Sequence, residues 1–168
     1  VSASATAISD ANDLKVSLTT GETKVSARDS LSLRGVVSGA LTASSTGAIS
    51  QFGALQVTSA TALTGASVSL ADPANDFSGQ VTVTAGATAI SDANDLKVSL
   101  TTGETKLLTG GVLSLSGAVS GALTASSTGA ITQFGALQVT GATTLTGASV
   151  SLADPASDFQ DVVTVTAG

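Results

Sequence analysis

The chain has 168 residues and a formal net charge of −6, with 42% hydrophobic, 11% charged and only 2% aromatic residues. Histidine and cysteine are missing, which excludes His- or Cys-based nucleophiles, bases and soft-metal ligands and leaves no disulfide framework from which to read a compartment. The acidic balance argues against binding a nucleic-acid backbone, which needs clustered Lys and Arg, and no apolar run approaches the ~18 residues of a membrane-spanning helix.

The chain opens at Val1 with neither an initiator Met nor a secretory leader pattern, so a piece of a longer array is expected. Residues 1–4 (VSAS) stand in register with Val83–Gly86. Ala5–Lys24 (ATAISDANDLKVSLTTGETK) returns without change as Ala87–Lys106, and the whole of 5–86 returns as 87–168 with about four positions in five identical. A unit copied at an offset of 82 residues points to a quasi-one-dimensional solenoid in which each unit touches only its neighbours. The expected organisation is one continuous solenoid over 1–168, with repeat 1 at 5–86 and repeat 2 at 87–168.

Along the chain, short alternating segments rich in β-branched residues read as half-buried strands. They include VSLA at Val68, VTVT at Val81, LKVSL at Leu96, LSLS at Leu113 and LQVT at Leu137. Turn clusters separate them: DPAND at Asp72, TTGET at Thr101, SSTGA at Ser126 and TGA at Thr146. Apolar residues nowhere recur at helical spacing for ten residues without an intervening Gly or β-branched pair, so very little helix is expected. The unit divides into four looser repeats starting at Val68, Ile90, Val112 and Ile131, with lengths of 22, 22, 19 and 19. A period near twenty with two or three strands suits one coil of a parallel β-helix. The expectation is therefore an all-β chain of about four coils per repeat, a rod on the order of 40 Å long at the ~4.8 Å strand spacing. Phe52, Phe77, Phe134 and Phe159 are the available ring anchors, and small aliphatics must supply the rest of the core. A pair of Ig-like sandwiches fits less well, because the chain has neither Trp nor Tyr.

Candidate chemistry is sparse. Asp72, Asn75 and Asp76 precede Asp92, Asn94 and Asp95 by about one coil, so stacking would set these oxygen-rich turns one above the other, where hard oxygens suit calcium. The spacing matches neither the EF-hand loop nor the nonapeptide calcium repeat, Asn75 becomes Ser157 in repeat 2, and Asn and Asp close turns through their own backbone. Turn closure is the favoured reading. Lys15 and Lys97 follow the two SDAND turns and are placed to neutralise their carboxylates. VTVT (Val81–Thr84, Val163–Thr166) and TTLT (Thr143–Thr146) read as hydroxyl-covered outer faces, since such arrays recur too seldom for an ice-binding surface. The largest divergence between copies runs from Val25 to Ser30 and includes Arg28 and Asp29, with Arg34 close by. It reads as a drifting loop, with a glycan- or filament-binding spot as the alternative. Without Trp or Tyr to stack sugars an enzyme is not expected, and no catalytic, cofactor-binding or metal site is assigned.

The strings SDANDLKVSL, GAITQFGALQVTGATTLTGA and VSLADPANDFSGQVTVTAG resemble the repeats of filamentous-haemagglutinin-like bacterial surface and secreted adhesins. The resemblance covers both repeats. It implies a right-handed parallel β-helix, export across the outer membrane and a role as a stalk or fibre in adhesion or biofilm. The resulting expectation is an extracellular or cell-surface structural segment that associates head to tail with further copies; the alternative is an exopolysaccharide- or glycan-binding side face. Neither nucleic acid nor membrane insertion is expected.

Overall fold

A computed structural model describes residues 5–168. These form strands and turns with no helix among the described residues. In repeat 1 the strands are β1 (Ala5–Asp10), β2 (Leu14–Thr20), β3 (Glu22–Ala27), β4 (Leu31–Val37) and β5 (Leu41–Ser45), then β6 (Ala48–Val57), β7 (Thr61–Thr64), β8 (Ser67–Leu70), β9 (Asp76–Phe77) and β10 (Val81–Thr84). Repeat 2 supplies β11 (Thr88–Asp92), β12 (Leu96–Thr102), β13 (Thr105–Thr109), β14 (Leu113–Val119) and β15 (Leu123–Ser127), then β16 (Ala130–Val139), β17 (Thr143–Gly147), β18 (Ser149–Ser151), β19 (Asp158–Phe159) and β20 (Val163–Ala167).

Every pairing is parallel, and the strands sort into two sheets. One runs β1-β3-β5-β7-β10-β12-β14-β16-β18 and the other β2-β4-β6-β8-β11-β13-β15-β17-β20. The chain thus alternates between two faces, and nine strand layers per sheet make a β-solenoid of nine coils. The step from one coil to the next varies from 17 residues, with Leu14 opposite Leu31, to 20, with Leu41 opposite Thr61.

The coil count per repeat differs from the expected four. β9 shares a layer with β8, both lying against β6, so the ten strands of a repeat fill nine half-coils and each repeat makes four and a half turns. β1 and its counterpart β11 consequently lie in opposite sheets, as do β2 and β12. Sequence phasing missed the half coil because SVSL and DF read as separate strands, and only their shared partner reveals one layer.

Alternation sorts side chains as a pleated strand requires. In β10 Val81 and Val83 face inward and are fully buried, whereas Thr82 and Thr84 face solvent. Leu, Val, Ile and Ala from both sheets form one continuous core cluster. A gap of ~10 Å between facing sheets suits such short side chains, which explains how a core forms almost without aromatics. Of the four rings only Phe77 is fully buried; Phe159 and Phe52 are half-buried and Phe134 is exposed. The expectation of four ring anchors holds for one.

β6 and β16 carry the main irregularity. Leu33 pairs with Gln51 but Gly35 pairs with Leu55, so β6 spends two more residues than β4 over that stretch. Gly35 has φ +117° there, and a Cβ at that position would collide with the Leu18 carbonyl. Repeat 2 repeats the arrangement at Gly117, with φ +106°, over the Leu100 carbonyl. The surplus residues bulge outward and carry Phe52 and Phe134.

Candidate functional site

The acidic turns stack as their spacing predicts. The Ala93 amide donates to the Asn75 carbonyl across the coil boundary at 2.8 Å, and the Phe77 amide donates to Asp92 Oδ2 at 2.8 Å. The oxygens of these turns are already engaged. Asp72 Oδ1 accepts from the Ala74 amide and Asp92 Oδ1 from the Asn94 amide, at 3.0 and 2.7 Å. Asp10 and Asp154 close their own turns in the same way. Such Asx turns use a short carboxylate arm to satisfy an amide two residues on. Asp95 Oδ1 reaches to the next coil and accepts from the Val112 amide at 2.7 Å. Among the described residues no group of three or more Asp, Glu, His or Cys is arranged to hold a metal ion.

Asn75 is a structural plug rather than a surface ligand. It is fully buried and sits beside the β6 bulge, where the parallel ladder is interrupted between β8 and β9. Its Oδ1 accepts from the Leu55 amide at 2.8 Å and from Gln51 Nε2 at 3.0 Å. Its Nδ2 donates to Gln51 Oε1, to the Leu70 carbonyl and to the Ser91 carbonyl, at 3.0, 3.0 and 3.2 Å. One side-chain amide therefore replaces the ladder bonds that the bulge removes, and ties repeat 1 to repeat 2. In repeat 2 Ser157 takes the place of Asn75. Its Oγ accepts from Gln133 Nε2 at 3.0 Å and from the Leu137 amide at 3.1 Å, but buried Gln133 Oε1 has no hydrogen-bond partner. A hydroxyl has one proton to give where an amide has two.

Asp92 is the one carboxylate drawn inside, 3% exposed at the boundary between the repeats. Burial raises its pKa above the ordinary value; the Asn94 and Phe77 amides oppose that shift, and the Asp76 and Asp95 charges add to it. Asp13 shifts the other way, because the Ser30 hydroxyl and then the Ser30 amide donate to it. Both groups are explained by turn and coil closure.

The lysines do not serve the turns that precede them. Lys15 Nζ lies 4.4 Å from the centre of the Phe52 ring, two coils along the same sheet, and Arg34 Cζ lies 4.9 Å from that ring. Lys97 Nζ covers Phe134 at 4.4 Å on the opposite sheet, where Ser116 replaces Arg34. Cations over ring faces attract through the ring quadrupole. Sequence reading treated the Lys and Phe residues separately; the G-A-I-x-Q-F-G run carried the signal, because Phe-Gly at a bulge turns a ring outward.

The divergent stretch Val25–Ser30 is not a projecting loop. Val25 and Ala27 are inward residues of β3, 0% and 6% exposed, and only Arg28, Asp29 and Ser30 lie in the turn that follows. Arg34 stands apart from them on the outer face of β4. The Thr-rich strands present outward hydroxyls at Thr82, Thr84, Thr144 and Thr146 while Thr143 points inside.

Comparison with known proteins agrees with the repeat architecture. No curated protein and no solved structure matches the chain. A protein-family profile matches residues 20–84 and again 102–166, in the same phase of both copies and over most of the chain. The chain belongs to the family described as repeats of unknown function (DUF5649).

Proposed function

We propose that this repeat β-solenoid is a structural segment of an extracellular bacterial stalk or fibre, of the adhesin or biofilm-filament kind, extended end to end by further units. The observation that carries this reading is the pair of unbroken parallel ladders running through all nine coils around one continuous core. Such a rod bears load along its axis through backbone hydrogen bonds, and its polar side chains are largely spent on closing coils. Its role is mechanical rather than catalytic, and it calls for no cofactor. The resemblance to filamentous-haemagglutinin-like repeats supports the extracellular setting.

Electron microscopy of the purified chain over a range of concentrations, with and without calcium, tests the reading. Filaments with an axial repeat of about 43 Å, nine coils at ~4.8 Å, are expected in both conditions. Short particles at every concentration would count against end-to-end extension.

A second reading rests on the Lys15–Arg34–Phe52 cluster, which offers two cations and a ring on one outer face. Such a surface suits an acidic glycan. Saturable glycan binding lost in Arg34→Ser would favour it; no binding leaves the stalk reading alone.

A further inference from the structure

The internal boundary between the two repeats serves as a template for the contact between two molecules. There β10 pairs with β12, with Val81 opposite Val98 and Thr84 opposite Thr101, and β8 pairs with β11, with Val68 opposite Thr88 and Leu70 opposite Ile90. The same sequence stands on the two outermost coils. Residues 163–167 match 81–85 and residues 149–152 match 67–70, while Ala5–Lys24 matches Ala87–Lys106. On the last coil Val163 and Val165 are 41% and 49% exposed, although their counterparts Val81 and Val83 are fully buried.

We infer that a second copy of this chain docks on β18–β20 through its β1 and β2 in the register of the internal boundary. This rests on the stalk reading above and makes it specific. Val163 then lies opposite Val16, Val165 opposite Leu18 and Thr166 opposite Thr19 of the second copy, and Val150 lies opposite its Thr6. Two repeats of four and a half turns make nine whole coils, so each sheet runs on into the same sheet of the next molecule without a change of face.

The template also assigns a docking role to Asp10. Inside the chain Asp92 accepts the Phe77 amide across the boundary; Asp10 is its counterpart and is exposed. In the docked pair it takes the Phe159 amide of the first copy. One bond of the template is missing, because Asn75 Nδ2 reaches the Ser91 carbonyl and Ser157 replaces Asn75. The contact between molecules is therefore weaker than the boundary within one, as reversible assembly requires.

The absence of cysteine makes disulfide trapping clean. Thr19 and Thr166 are both exposed, and facing residues on paired strands lie within the Cα range a disulfide can bridge. Under mild oxidation the double variant Thr19→Cys/Thr166→Cys is expected to give a ladder of covalent oligomers. Thr84→Cys/Thr101→Cys should cross-link within one chain, as the positive control. Ser17→Cys/Thr166→Cys, two residues out of register, should remain monomeric. Ser157→Asn should tighten association roughly five- to tenfold, the size of one recovered buried hydrogen bond, and Asp10→Ala should weaken it by a similar factor. Equal ladders in and out of register would overturn the assignment. So would particles that lengthen by microscopy without any Thr19–Thr166 cross-link, although the stalk reading would survive. A chain that stays short and monomeric at every concentration, with the positive control formed, would sink both.

Discussion

Ala5–Lys24 and Ala87–Lys106 are identical in sequence, yet one lies on the first described coil and the other in the middle of the stack. Both form strands, with β2 and β12 covering the same seven residues of their repeats. Their burial diverges. Ile90, Leu96 and Val98 are at most 1% exposed, whereas Ile8, Leu14 and Val16 are half-buried; Asp92 is buried and Asp10 exposed. Local conformation therefore follows from the alternating sequence, while burial follows from the coil stacked on top. This is the division expected of a repeat array, where nearest-neighbour interfaces carry much of the stability.

The strongest way to break this comparison is to delete the same side chain in both places. Leu96→Ala should cost about 2–5 kcal/mol, the usual range for a fully buried leucine, and Leu14→Ala less than half as much, read from denaturant midpoints of the dilute chain. Equal costs would mean that the first coil is covered as well as the interior one. A smaller contrast is expected between Asp92→Ala and Asp10→Ala. The former strands the Phe77 and Asn94 amides inside the fold, a loss of about 1–3 kcal/mol, and the latter should leave the dilute chain's stability nearly unchanged.

The finest contrast is in pH. Because the folded chain holds the Asp92 proton more tightly than the unfolded chain does, the native state binds more protons between the ordinary value of 3.8 and the raised native value. The Asp92 contribution therefore declines as pH rises through that window and is largest below it. Asp13 acts with the opposite sign: its contribution is present above 3.8 and is lost as pH falls through its lowered native value. Midpoints of wild type and Asp92→Asn measured across this range should converge as pH rises through the window, relative to their difference at low pH. Parallel curves would show that Asp92 titrates alike in both states.

Much of this architecture is legible in the residues. The 82-residue offset, the period near twenty and the alternation in VTVT and LKVSL lead to a parallel solenoid without further help. The half coil is not legible, because SVSL and DF announce two strands and only pairing with β6 shows that they share a layer. Asn75 looks like any turn asparagine; its place inside depends on a bulge two strands away whose only sequence marks are glycines. The stacking of the acidic turns could be read from their spacing, but not the depth of Asp92, since its identical counterpart Asp10 stays at the surface. Lys15 and Phe52 are 37 positions apart, and coil length alone does not place one over the other.

The half-integral winding gives the number of units a meaning beyond length. Each added or deleted 82-residue unit changes the reach of the rod by about 22 Å, at ~4.8 Å per layer, and swings whatever is attached beyond it to the far side. Units gained or lost in pairs alter reach alone. A lineage that varies its repeat number thus samples two settings, near side and far side, and the parity of the count decides which way the distal end looks.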